Sequence, residues 1–291
     1  MIITGNLNAK MHQDIDTIPS VSEAVMALSH EGIYENVATY IVNRIDSIKK
    51  YFIKSKDDMN NFNEKDMTVQ AQDVQRLAND ISKLDVYLDM RKLSQTEIPI
   101  TLGLNTTLLD GSSSLLSVSD DIGKLAYKYF DNIDTIISKI LADLDYRRKL
   151  TPIKEDATVN KLSDDIQKVI DKLIDPTGTY DRRSIDKLIP NVKSLETIQS
   201  NLITINKHVT YKLVESIKEK INNIATKVNR IYDILSNEEN DAGISRSTLN
   251  ELAWNLDNAA NFATKVTTIF YLTNQFNSML INTVKEVKKA K

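Results

Sequence analysis

From Val192 to Leu235 the chain carries apolar residues at three- and four-residue steps without one proline or glycine: Val192, Leu195, Ile198, Leu202, Ile205, Val209, Leu213, Ile217, Ile221, Ile224, Val228, Ile231 and Leu235. That spacing is the period of a helix with one buried face. A single helix of this length would run roughly 65 Å at 1.5 Å per residue, with a break, if any, expected near Lys207-His208. Shorter stripes of the same kind occur elsewhere. Ile33, Val37, Ile41, Ile45, Ile48 and Phe52 follow Gly32, and Val74, Leu77, Ile81, Leu84 and Leu88 have the strict spacing of an antiparallel bundle or coiled-coil seam. Ile122, Leu125, Tyr129, Ile133, Ile137, Ile140 and Leu144 form a third stripe, and Leu162, Ile166, Val169, Ile170 and Leu173 a fourth.

Only seven glycines and five prolines punctuate 291 residues, far fewer than a sheet-rich or disordered chain carries. The expected fold is therefore all-α: an elongated antiparallel helical bundle with long helices. Residues 94–119, "SQTEIPITLGLNTTLLDGSSSLLSVS", break the style with two glycines, a proline and an Asp110-Gly111 step, and read as a small extended or hairpin excursion. "KSKDDMNNFNEKD" reads as a connection, and Ser20 with Glu23 and Thr248 with Glu251 have the spacing of capping boxes. The expected organisation is an N-terminal arm over 1–19, a helical half over 20–150 and a second over 151–291, the two halves packing either separately or as one continuous bundle. The first twenty residues, "MIITGNLNAKMHQDIDTIPS", do not follow the pattern of a secretory signal.

Between Lys265 and Lys285 nineteen residues carry no charge. That is nearly the length of a membrane span, yet Asn274, Gln275, Asn277 and Asn282 lie inside it, and amides are costly in hydrocarbon unless paired. The run reads better as a helix surrounded by helices, whether of this chain or of neighbouring subunits. If neighbours cover it, the contact surface of 254–284 is carried by Trp254, Phe262, Phe270, Tyr271, Phe276 and Met279.

Chemistry is harder to find. The absence of cysteine removes disulfides, thiol nucleophiles and Cys-containing zinc sites. His12, His30 and His208 are scattered, with no second ligand at metal-binding spacing. Asp57-Asp58, Asp120-Asp121, Asp143 with Asp145 and Asp164-Asp165 sit on polar helix faces or at helix starts, where capping and solubility account for them. "NEENDAG" places Gly243 out of register for a calcium loop, and no phosphate-binding glycine loop or nucleophile elbow occurs. No catalytic, cofactor or metal residue is nominated, and an enzyme is not expected. With 37 basic and 40 acidic residues interspersed, for a net charge of −3, the chain lacks the basic field of a nucleic-acid coat. Weak contact through Lys285, Lys288, Lys289 and Lys291 is the exception.

The segment "VSEAVMALSHEGIYENVATYIVNRIDSIKKYF" resembles the N-terminal segments of helical virion proteins of large tailed bacteriophages, especially those packed inside the head. The resemblance covers some thirty residues and the general style of the chain, and carries over no functional residue. It implies a structural protein of the virion, located in the head interior or, before assembly, in the host cytoplasm. It also implies trimming at tripeptides ending in Glu, for which Ser29-His30-Glu31 and Ser194-Leu195-Glu196 have the form. The expected partners are proteins or further copies of this chain. The alternative is a membrane-apposed or membrane-active helical protein whose last helix and lysines engage lipid.

Overall fold

The computed structural model describes residues 33–290 except 101, 102, 147, 155, 176–181 and 237–245, with side chains described from residue 40 onward and that of Arg246 excepted. The expected helix start at Ser20 and the turns around "DPTGTYD" and "SNEENDAGISRS" lie wholly or mostly outside the described residues. Within them the chain is an all-α bundle of eight long helices with one very small sheet. The helices are α1 Ile33–Met59, α2 Glu64–Arg76, the short α3 Ala78–Ile81, α4 Leu108–Asp121, α5 Tyr127–Asp145, α6 Ala157–Leu173, the short α7 Ile185–Leu188, α8 Ser194–His208, α9 Tyr211–Ser236 and α10 Arg246–Lys289.

Local chemistry sets most of these ends. Asn63 caps α2 by accepting from the Lys65 amide at 2.8 Å, and Asp156 caps α6 by accepting from Thr158 and Val159. The long stripe 192–235 is two helices, broken one turn-step after Lys207-His208. Thr210 Oγ1 accepts from the Leu213 amide and so starts α9 afresh, while Val209 adopts a non-helical backbone. The last helix already begins at Arg246, so Thr248 lies inside it rather than capping it. The polar "KSKDDMNNFNEKD" is helical at both ends and connects only over residues 60–63.

The non-helical excursion is real but is not a local hairpin. Strand β1, Glu97–Pro99, pairs antiparallel with β2, Arg182–Ser184, eighty-odd residues later, with Ile98 opposite Arg183 and buried. Arg183 also donates to the carbonyls of Leu104 and Thr106, each at 2.8 Å. The Asp110-Gly111 step, expected as a turn, sits in the first turns of α4. Thr107 is the N-cap there, its hydroxyl accepting from the Asp110 amide and donating to the Asp110 carboxylate, and this cap outweighs the turn preference of Asp-Gly. From Ile122 to Ala126 the chain makes a π-turn before continuing as α5.

The 44-residue α10, roughly 66 Å long, is the axis of the bundle, contacted by α1, α2, α4, α6 and α8. The antiparallel packing expected from sequence is seen between α1 and α9, where Lys49 reaches Asn229 and the ring of Tyr232 while Lys56 and Asn60 face Lys212–Asn222. Other neighbours run parallel. Arg44 pairs with Asp257, and the Asp58 carbonyl with Tyr271, at one constant offset along α1 and α10; Lys220 and Arg230 of α9 pair with Asp131 and Asp145 of α5 in the same order. The buried residues form one core drawn from both sides of residue 151.

Candidate functional site

The uncharged stretch of α10 is covered by helices of its own chain. Phe262, Phe270, Phe276 and Met279, expected as contact residues, are fully buried. Phe262 packs edge-on to Tyr129 at 5.2 Å and tilted against Phe130 at 5.6 Å, and Phe270 lies edge-on to Phe62, geometries favoured by the ring quadrupoles. These four side chains therefore belong to the core, not to a surface. Tyr271 is half-buried against Phe62, with its hydroxyl donating to the Asp58 carbonyl at 2.8 Å and accepting from Asn61; burial pushes its pKa up. Trp254 alone of the six is exposed, at 42 %.

The polar residues of the stretch are absorbed mostly within the chain. Thr267, Thr268 and Thr273 donate to carbonyls four residues back. Asn277 exchanges two hydrogen bonds with Asn206 of α8. Asn274 Oδ1 and Thr283 Oγ1 are buried without a hydrogen-bond partner among the described residues. Among the described residues no helix is long and apolar enough to cross a membrane. The terminal lysines have local uses: Lys288 pairs with Asp80 at 2.9 Å and Lys289 with Glu286 at 2.7 Å.

Of the paired carboxylates, Asp120, Asp143, Asp145 and Asp165 are committed to local structure, and Asp58, expected on a polar face or at a helix start, is buried in the last turn of α1. Asp143 accepts from both the amide and hydroxyl of Thr151, and Asp145 pairs with Arg230 at 2.7 Å. Asp120 is bonded to Lys124, which holds its pKa down, and stands 3.4 Å from His208 Nδ1. Asp165 is lowered in the same way by Lys168. Among the described residues no group of three or more His, Asp or Glu could hold a metal ion. Ser194 and Leu195 of the second Glu-terminated tripeptide are buried at the start of α8.

A cleft of about 300 Å³ lies between α6 and α10, walled by Tyr129 of α5 and Asn160, Ser163 and Asp164 of α6 on one side and Trp254, Asn258, Asn261 and Lys265 on the other. The α10 wall is one helical stripe at steps of four, three and four residues. The side chains of Asn258 and Asn261 make no hydrogen bond among the described residues. Lys265 Nζ is half-buried and donates to Ser163 Oγ at 3.0 Å and the Ser163 carbonyl at 3.4 Å. Desolvation lowers its pKa, against the opposing charges of Asp164 and Asp171. Burial pushes Tyr129 at the back of the cleft well above the ordinary phenol range.

Sequence reasoning found Trp254 here and missed Asn258, Asn261 and Lys265. The signal was present: a polar line at helical spacing along an otherwise core-type helix, leading from its one exposed aromatic to the last charge before the uncharged run. Comparison with protein-family models, with curated proteins and with solved structures gives no match for this chain.

Proposed function

We propose that the chain is a non-enzymatic structural and interaction protein of a large assembly, and that the assembly is the virion of a large tailed bacteriophage, as the resemblance of its N-terminal segment implies. The observation that supports this reading is the packing of α10 against five long helices of the same chain, with Trp254 and a polar stripe left on its open side. A helix covered on most faces, with its register fixed by paired amides and a largely buried ion pair, is a stiff rod. Such a rod suits a part that holds its shape while neighbours dock on it. Head interior is the location this reading carries forward.

The test is gradient sedimentation of particles from the native source, followed with an antibody to the chain. Co-sedimentation with a large particle that survives a high-salt wash is expected. Recovery only at the top of the gradient, as a free species of 32.9 kDa, would overturn the proposal.

A further inference from the structure

The cleft between α6 and α10 has the chemistry of a peptide-binding groove. Trp254 offers an exposed indole face, Asn258 and Asn261 offer unused amides, and Lys265 closes the stripe with an ammonium that no carboxylate neutralises at ion-pair distance among the described residues. A half-desolvated cation without an ionic partner is costly to keep, and an arriving carboxylate would offset that cost through a charge-assisted hydrogen bond. Asparagine amides carry one donor side and one acceptor side, which matches the N–H and C=O of an extended main chain. The stripe from residue 254 to 265 measures roughly 16 Å along the helix axis, the length of about five extended residues.

We infer that this cleft binds an extended segment of a protein partner carrying a single acidic residue, its carboxylate on Lys265, its main chain across Asn261 and Asn258, and an aliphatic side chain on Trp254. Asp164, on the α6 wall, is solvent-exposed and therefore screened, but it disfavours a second acidic residue in the same segment. One carboxylate flanked by uncharged residues is the complementary pattern. The inference rests on the reading of the chain as an interaction protein and specifies how one contact of that protein is made.

Trp254 is the sole tryptophan of the chain, so its fluorescence reports on this cleft alone. The experiment titrates the full chain with capped octapeptides holding one Glu three to five residues from a Leu, with the same peptides carrying Gln, and with acetate and inorganic phosphate. A saturable change in Trp254 emission with the Glu peptides is expected, weaker by about tenfold or more with Gln or in Lys265→Met, the size of losing a charge-assisted hydrogen bond. Asn258→Ala/Asn261→Ala is expected to weaken the peptide and leave acetate unaffected, with circular dichroism showing each variant folded. Equal responses to Glu and Gln peptides, a response to phosphate or acetate as strong as to peptide, or no response at all would each overturn the inference. Particle co-sedimentation without a Glu-dependent response would overturn this site while leaving the assembly reading in place; a Glu-dependent response in a chain that sediments free would overturn the assembly reading instead.

Discussion

Asn206 of α8 and Asn277 of α10 face each other as a closed amide pair, each donating to the other's carbonyl oxygen, at 3.1 and 3.0 Å. Asn277 is fully buried, at 1 % exposure, between the buried Phe276 and Met279 of α10. Only one axial alignment of the two helices makes both bonds, so the pair fixes register in the way a single buried asparagine does in coiled coils. Asn277→Ala leaves the Asn206 amide without its partner and is expected to lower unfolding free energy by about 2 kcal/mol in urea titration. Asn206→Leu/Asn277→Leu removes both polar groups together and is expected to fall within about 1 kcal/mol of the parent. The single variants Asn206→Leu and Asn277→Leu close a double-mutant cycle with that chain, and their non-additivity measures the coupling directly.

Gly111 is close to Phe276 in a way that reverses the ordinary helix preference. A Cβ at residue 111 would lie 2.3 Å from Phe276 Cζ, and that ring is fully buried. In an open helix Gly→Ala gains about 1 kcal/mol. Here Gly111→Ala forces the ring or α4 to move and is expected to destabilise by about 1–3 kcal/mol. Adding Phe276→Leu in the same chain opens the space and is expected to return part of the loss, read from the denaturation midpoints of the two variants.

These two sites show what the sequence could and could not reveal. Apolar steps at Ile198, Leu202 and Ile205 or at Ile133, Ile137 and Ile140 were legible because helical period depends on neighbours along the chain. The run 192–235 reads as one helix with a break near Lys207-His208 left open, and the structure divides it in two at Val209 and Thr210, where the Thr210 hydroxyl supplies a local cap. The destination of each stripe was not legible. That β1 pairs with Arg182–Ser184, or that α1 and α10 run parallel, follows from contacts between residues far apart in sequence, for which a single chain gives no periodic signal. The same limit explains Phe262, Phe270, Phe276 and Met279. An uncharged aromatic run has the same composition whether its own chain or a neighbour covers it, and only the placement of the surrounding helices, α5 with Tyr129 and Phe130 among them, decides.

Arg44 and Asp257 make a largely buried ion pair at 2.8 Å, with side-chain exposures of 12 and 13 %, between α1 and α10. Asp257→Asn keeps the shape and removes the counter-charge, leaving a desolvated guanidinium. A loss of about 3 kcal/mol is expected, read as a lower urea midpoint with unchanged slope. Arg44→Met/Asp257→Leu is expected to be more stable than the single variant, because two well-packed apolar side chains carry no desolvation penalty.

Asp58 makes the stability of the fold depend on pH in the direction opposite to a salt-bridged carboxylate. It lies in the last turn of α1, where the helix dipole disfavours a negative charge, and burial raises its pKa above the ordinary aspartate value despite the attraction of Lys54. Its backbone carbonyl, not its carboxyl, receives the Tyr271 hydroxyl, so that bond survives substitution of the side chain. The folded chain therefore holds the Asp58 proton to a higher pH than the unfolded chain does. This contribution to stability is complete below the unfolded value near pH 3.9, falls as pH rises through the folded value, and is flat above it. Asp58→Asn is neutral throughout. It is expected to melt at a higher temperature than the parent at pH 7, with the difference between the two Tm values shrinking as pH is lowered toward 3. A Tm difference that is constant over that range, or that grows on acidification, would show that the fold does not raise the Asp58 pKa.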